Sequence, residues 1–396
     1  MADLRKPVDA AKSLARAGFE ALRRGKYQDA LVPFEWLAAA GQADASIHFA
    51  TAIARERLGD LAAALGAAAN AVAGDPTNFQ YLLLNADLLA ATGEHRNASA
   101  MYLAAVRTIP TRTGLTPDLM REVERAEQAC RRYADDLETQ VRNRLAQREV
   151  EHSQPRIADA LDVMFGRKQP FVQQPRYFLF PGLAAIPFFD PGAFAWVAAL
   201  EANTQLIRQE LLEVMRDHAA FKPYVEGHPN RPGAEHSQHG MLNNPDWSAF
   251  YLWKNGNLVE ANAVRCPHTV RAMSSVPLTT IANRSPSVLF SLLRPGAHIP
   301  PHNGLINTRL IAHLPLIVPG KCRLRVGNDT REWVPGKLWL FDDTIEHEAW
   351  NDSVQTRVIL LFEVNRPDIT TEEQRSVSEI FTAIDAHSGR APEWEI

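Results

Sequence analysis

Thirteen histidines punctuate a chain of 396 residues, so histidine alone says little. Three of them stand where chemistry could be built: His302 in Pro300-Pro301-His302-Asn303-Gly304, His313 in Leu310-Ile311-Ala312-His313, and His347 in the run Phe341–Trp350. Arg357 follows His347 by ten residues. Imidazole suits Fe, Zn and Cu, so two rings brought together across the 45 residues between His302 and His347 would hold a divalent ion and leave coordination positions open. Asp342, Asp343, Glu346 and Glu348 invite a third ligand, but Asp342 and Asp343 read more simply as turn residues accepting local hydrogen bonds. His228, His236 and His239 fall in a Gly/Pro-rich stretch that reads as a loop near the site entrance rather than a metal centre. Cys266 and His268 read as incidental.

Such residues need a rigid frame. Short β-branched runs cover Ser287–Leu293, Arg309–Val318, Cys322–Val326, Glu332–Val334, Lys337–Phe341 and Thr356–Val364. Turn signals divide them, among them Pro295-Gly296, Pro319-Gly320 and Pro335-Gly336. Strands at this spacing indicate an all-β sandwich or barrel, and within that class a jelly-roll, the double-stranded β-helix. Ahead of them, Leu200, Leu206, Leu211 and Val214 predict one helix from Pro191 to about His218.

The N-terminal third has a different texture. Gly25, Gly59 and Gly93 stand 34 residues apart, each followed five residues on by Ala30, Ala64 or Ala98 and preceded seven residues earlier by Gly18, Ala52 or Ala86. Pro76 and Pro110 share the period. The pattern resembles the tetratricopeptide repeat: paired helices closely packed at the small residues, with glycine at the turn. Ala68 stands where a large aromatic is usual, so the middle repeat is expected to be looser. Leu119, Val123, Ala126, Cys130, Tyr133, Leu137 and Val141 then predict a long helix that caps the array. The expected layout is a multidomain α + β chain: repeats at 8–115, connecting and capping helices at 116–168, and a double-stranded β-helix domain with a C-terminal helix at 169–396.

A net charge of −4 excludes a general nucleic-acid binder, which needs a basic surface to displace counterions. With 46% hydrophobic and 22% charged residues the chain can bury a sizeable core. Three widely spaced cysteines, Cys130, Cys266 and Cys322, form no disulfide framework, and neither a leader nor a membrane span is apparent. These features point to a cytoplasmic setting.

The run from Ser291 to Val364 resembles the aspartyl/asparaginyl β-hydroxylase family of Fe(II)- and 2-oxoglutarate-dependent dioxygenases. The resemblance is carried by Pro301-His302, Asn307, Arg309, His313, Gly336-Lys337, Phe341-Asp342-Asp343, Glu346-His347-Glu348, Trp350 and Arg357. Phe180-Pro181-Gly182-Leu183 and Trp247-Ser248 extend it upstream, so that it spans roughly residues 177–383. Animal-type members also carry tetratricopeptide-like helices ahead of the oxygenase domain.

The resemblance implies that His302 and His347 bind the iron, with no catalytic residue beyond the metal centre. Arg357, assisted by Ser291, would clamp one carboxylate of 2-oxoglutarate and His313 would contact the other. Trp247 would line the substrate region, and Arg309 would either pair with a substrate carboxylate or form a structural salt bridge. Gly304 stands where most such oxygenases place an acidic ligand, and Ile311 where animal members carry a second arginine. The implied reaction consumes O2 and hydroxylates a C–H bond, foremost the β-carbon of Asp or Asn in a peptide or protein recruited by the repeats. The alternatives are a hydroxylase of a small molecule, such as a free amino acid or lipid acyl chain, and a repeat-based binding scaffold without catalysis.

Overall fold

The computed structural model describes residues 5–148, 155–226 and 241–388. The chain divides into two compact units, Met1–Phe165 and Gly166–Ile396. The first unit is helical: α1 (Arg5–Arg23), α2 (Tyr27–Ala39), α3 (Ala45–Arg57), α4 (Leu61–Gly74), α5 (Phe79–Ala91), α6 (His95–Arg107), α7 (Pro117–Ala146) and α8 (Pro155–Met164). Helices α1 to α6 pack as three successive pairs, and α7 packs on α6. The 34-residue period has a direct structural meaning. Gly25, Gly59 and Gly93 adopt φ of 73°, 83° and 83°, the left-handed conformation that glycine enters without penalty. Ala30, Ala64 and Ala98 are fully buried between paired helices. At Gly18 a methyl group would lie 2.4 Å from Phe34 Cε1, so only glycine fits.

The middle pair departs from the expectation that it is loose. Its core is largely alanine, Ala52, Ala64, Ala67 and Ala68 with Leu88, and the small side chains let the helices draw together. A Cβ on Gly74 would stand 2.8 Å from the Cβ of Ala45. Helix starts are satisfied locally, as where Asp44 accepts from the Ile47 N–H and Thr116 from the Leu119 N–H. Helix α7 buries Val123, Ala126 and Ala129 in the core of the last pair, while Leu137 further along it is exposed.

Among the described residues the second unit has twelve strands: β1 (Phe188–Phe189), β2 (Lys222–Pro223), β3 (Trp247–Lys254), β4 (Asn257–Leu258), β5 (Val288–Leu293), β6 (His298–His302), β7 (Arg309–Ile317), β8 (Cys322–Val326), β9 (Asp329–Glu332), β10 (Trp339–Phe341), β11 (His347–Asn351) and β12 (Arg357–Asn365). The larger sheet has the order β1-β10-β7-β12-β5-β3-β2, with β4 on β3, and the smaller β6-β11-β8-β9. All these pairings are antiparallel. From β5 to β12 the chain passes back and forth between the sheets, apart from the β8–β9 hairpin within the smaller one, which is the course of a double-stranded β-helix.

Alternation along the strands decides what faces the site. Even-numbered residues of β7 and β12, among them Leu310, Ala312, Leu360 and Phe362, join a core completed by helices α9 (Val197–Ala202), α10 (Thr204–Met215) and α12 (Pro267–Met273), the short α11 (Glu260–Ala263) lying between α10 and α12 in sequence. Odd-numbered residues such as Ile311 and Ile359 turn the other way and meet Ile299, Leu324 and Ala349 of the smaller sheet. With both faces covered, these strands are almost continuously apolar. The N-terminus of α12 is held by Glu210 of α10, which accepts from the N–H groups of His268 and Thr269 at 2.7 and 2.9 Å. Helix α13 (Thr371–Ser388) closes the described chain.

Two further sequence expectations need correction. The helix anticipated from Pro191 to His218 is broken, with α9 and α10 separated at Asn203. Strands β6 and β11, which carry His302 and His347, escaped the pattern of β-branched runs. Strand β6 contains Pro300 and Pro301; it lies at the sheet edge, and its register with β11 shifts between Ile299 and His302, so the ladder is interrupted where the prolines lack an N–H.

Candidate metal and anion site between the sheets

Strands β6 and β11 place His302 directly opposite His347, with ring centroids 4.1 Å apart. The Nδ1 of His302 lies 2.8 Å from the Pro300 carbonyl, and that of His347 lies 3.1 Å from the Ile345 carbonyl. Each Nδ1–H therefore donates to main chain, leaving Nε2 as the ring's free acceptor, the arrangement by which proteins orient metal-binding histidines. Burial pushes His302 down to about 3, helped by the neighbouring His347, and pushes His347 down to about 4. Both rings are neutral at pH 7, the state in which imidazole binds metal.

These rings line a cavity between the sheets, together with Trp247, Ser291, His313 and Arg357. Arg357 is 1% exposed. Its Nη1 donates to the Ser291 carbonyl at 3.3 Å and its guanidinium lies 4.7 Å from the Trp333 ring centre, but among the described residues no carboxylate pairs with it. Burial alone brings it down to about 10. A buried cation without a counter-ion is costly, and an incoming carboxylate would relieve it. Trp247 stacks on Tyr224 at 4.0 Å and donates from Nε1 to Ser291 Oγ at 3.2 Å, fixing the hydroxyl beside Arg357. His313 is buried against the edge of Phe341, and its Nδ1 lacks a partner among the described residues. Burial and the nearby Arg357 charge hold it well below its usual value.

Gly304 also lines the cavity, and the space a side chain would need there is taken. A Cβ at Gly304 would fall 2.0 Å from Asp343 Oδ2. Asp343, read from sequence as a turn residue, therefore faces the site. Asp342 does play the turn role, accepting from the Thr344 N–H at 3.0 Å, and it also pairs with Arg366 at 2.7 Å. Glu346 and Glu348 are engaged with Arg325. Among the described residues no group of three or more His, Cys, Asp or Glu is arranged to hold a metal, so the donors present are the two imidazoles.

Arg309 corrects the expectation of a substrate contact. It is fully buried, with Nη1 3.0 Å from Asp343 and Nε 2.7 Å from Glu363, and it does not line the cavity. Two acids on one guanidinium make it a structural ion pair. Tyr224 and Trp333 were missed by sequence reasoning, because neither lies in a motif and only the packing of β3 and of the turn after β9 brings them to the site. His228, His236 and His239 lie outside the described residues. Cys266 is buried with its thiol pushed up to about 12, which leaves it unreactive.

Fold and site together define a double-stranded β-helix protein with a two-histidine cavity and an anion-seeking arginine. The comparisons agree with this ground plan. Residues 201–367 match the family model described as aspartyl/asparaginyl beta-hydroxylase. The human aspartyl/asparaginyl beta-hydroxylase is 35% identical over 204 residues, covering 50% of this chain and 25% of that protein. The ornithine lipid ester-linked acyl 2-hydroxylase of Rhizobium tropici is 34% identical over 184 residues, covering 46% and 61%. Human aspartate beta-hydroxylase domain-containing protein 2 is 29% identical over 217 residues, covering 54% and 56%. Within the second unit, residues 201–367 are thus similar to the aspartyl/asparaginyl β-hydroxylase family, and the chain spans from a quarter to about three-fifths of these relatives' lengths. Among the described residues no helix is long and apolar enough to cross a membrane.

Proposed function

We propose that the chain is an Fe(II)- and 2-oxoglutarate-dependent dioxygenase that hydroxylates a C–H bond, foremost the β-carbon of an Asp or Asn side chain in a peptide or protein. The observation that carries this reading is the meeting, in one cavity, of two opposed neutral imidazoles and a buried guanidinium that no acid among the described residues pairs. The donor set fits the groups: His302 and His347 would hold iron through Nε2, and Arg357 with the Ser291 hydroxyl would take the distal carboxylate of 2-oxoglutarate. His313 would donate from its unpartnered Nδ1 to the other carboxylate. When bound, iron and 2-oxoglutarate supply the oxidising power, placing one atom of O2 in the substrate C–H bond and the other in succinate, with loss of CO2.

The protein's own part is positioning and exclusion of water. Trp247 holds Ser291, Trp333 backs Arg357, and the aliphatic side chains of both sheets dry the cavity, which strengthens each charged hydrogen bond inside it. The helical repeats would recruit or orient the substrate. A second reading, hydroxylation of a lipid acyl chain or another small molecule, is favoured by the similarity to the Rhizobium tropici enzyme. The free thiols of Cys130, Cys266 and Cys322 support work in a reducing compartment such as the cytoplasm.

The test is anaerobic loading with Fe(II) and 2-oxoglutarate, followed by O2 and mass spectrometry of candidate substrates. The expected product is heavier by one oxygen, with succinate formed alongside. Undiminished succinate formation by His302→Ala would sink the iron assignment.

A further inference from the structure

We propose that the group presented to this cavity for oxidation is uncharged, a carboxamide or an aliphatic chain, and that a carboxylate in the same place is excluded. This rests on the dioxygenase reading and narrows its substrate. Along β7 the side chains of Arg309, Ile311 and His313 share one face, yet only Ile311 and His313 reach the cavity. Arg309 has no charge to offer a substrate, because its two carboxylate partners outnumber it. Of those partners, Asp343 lines the cavity itself, at the face left open by Gly304.

The charges around the reacting position can be counted. Imidazoles that hold a metal are neutral. Arg357 is the one cation lining the cavity among the described residues, and it is committed to 2-oxoglutarate. The Fe(II) dication and the 2-oxoglutarate dianion cancel, and the single charge of Arg357 is balanced by the net charge of −1 on the cluster of Arg309, Asp343 and Glu363. Arg176 comes near, its main-chain N–H donating to the Gly304 carbonyl at 2.9 Å and its charge reaching His302, but its side chain is exposed to water that screens it and does not line the cavity. A substrate carboxylate would therefore be buried beside Asp343 without a counter-charge, which costs far more than burying a carboxamide or methylene chain. Uncharged groups meet Ile299, Ile311 and Trp247, surfaces that suit them.

The test uses the full-length protein loaded with Fe(II) and 2-oxoglutarate. Two peptide libraries identical except for Asn or Asp at one fixed position, and a long-chain fatty acyl amide, are exposed to it with O2. Oxygen gain is read by mass spectrometry, and binding of the fluorescein-labelled libraries is read anaerobically by anisotropy. Oxygen should enter the Asn library or the acyl amide at least about tenfold faster than the Asp library, and the Asp library should bind at least about tenfold more weakly than the Asn library. Ile311→Arg, which brings a cation to the cavity face of β7, should narrow the binding gap; where that variant does not fold, the wild-type comparison decides alone. The proposal is overturned if the Asp library equals or exceeds the Asn library in either readout, including the case where Arg176→Gln then abolishes that preference. It is also overturned if no probe gains oxygen while 2-oxoglutarate is still converted to succinate. Absence of any succinate would instead strike the dioxygenase reading.

Discussion

Arg309 and Arg357 lie on neighbouring strands of one sheet, and neither exposes more than 1% of its surface. Their surroundings are opposite. Arg309 is clamped between Asp343 and Glu363, while Arg357 meets a main-chain carbonyl and the face of Trp333. Two other buried arginines resemble Arg309, for Arg366 pairs with Asp342 and Arg284 with Asp385. A matched buried cation braces the strands that supply its acids, and removing it strands those acids. An unmatched one adds little to stability and holds its binding capacity for an anion from outside. The contrast separates structural charge from functional charge without reference to sequence motifs.

Four substitutions would break or sharpen this contrast. The largest effect on turnover belongs to His302→Ala, which removes half of the imidazole pair. Succinate formation should fall by more than about a hundredfold, with the unfolding free energy within about 1 kcal/mol of wild type. Arg309→Met should cost about 3–5 kcal/mol in urea-unfolding experiments, because Asp343 and Glu363 are left buried without a counter-charge. Arg357→Met should leave stability unchanged or raise it, while weakening 2-oxoglutarate binding by about ten- to a hundredfold in equilibrium dialysis. Equal destabilisation by the two arginine substitutions would erase the distinction. Gly18→Ala in the helical unit should cost about 1–3 kcal/mol through its clash with Phe34 and leave succinate formation untouched, since no charge is involved.

The two units were not equally legible in sequence. In the helical unit the pattern at Gly25, Ala30 and their 34-residue echoes is local, because each helix packs on its neighbour in the chain and the same small residues recur at each contact. The exception, the alanine-rich middle pair, was misjudged as loose because composition does not say how closely two backbones draw together. In the β unit the strongly apolar runs, β5, β7 and β12, were readable, whereas β6 and β11 were not. Their Pro300, Pro301, Glu348 and Asn351 break the strand pattern, and only pairing with each other, and of β11 with β8, makes them strands. His302 and His347 were nonetheless singled out, through the motif resemblance rather than through any periodicity.

The sequence by itself determined the two textures of this protein, the family resemblance of its second half, and the identities of the two histidines and the arginine at its site. Tertiary structure alone decided what those residues face. Asp343 is 34 residues from Arg309 and Glu363 is farther still, yet the strand order brings both against one guanidinium and leaves Arg357 with none among the described residues. Helix pairing is written in contacts between chain neighbours, so it shows in periodicity. Charge pairing across a double-stranded β-helix depends on which distant strands become adjacent and which face each side chain takes, and a linear pattern does not carry that information.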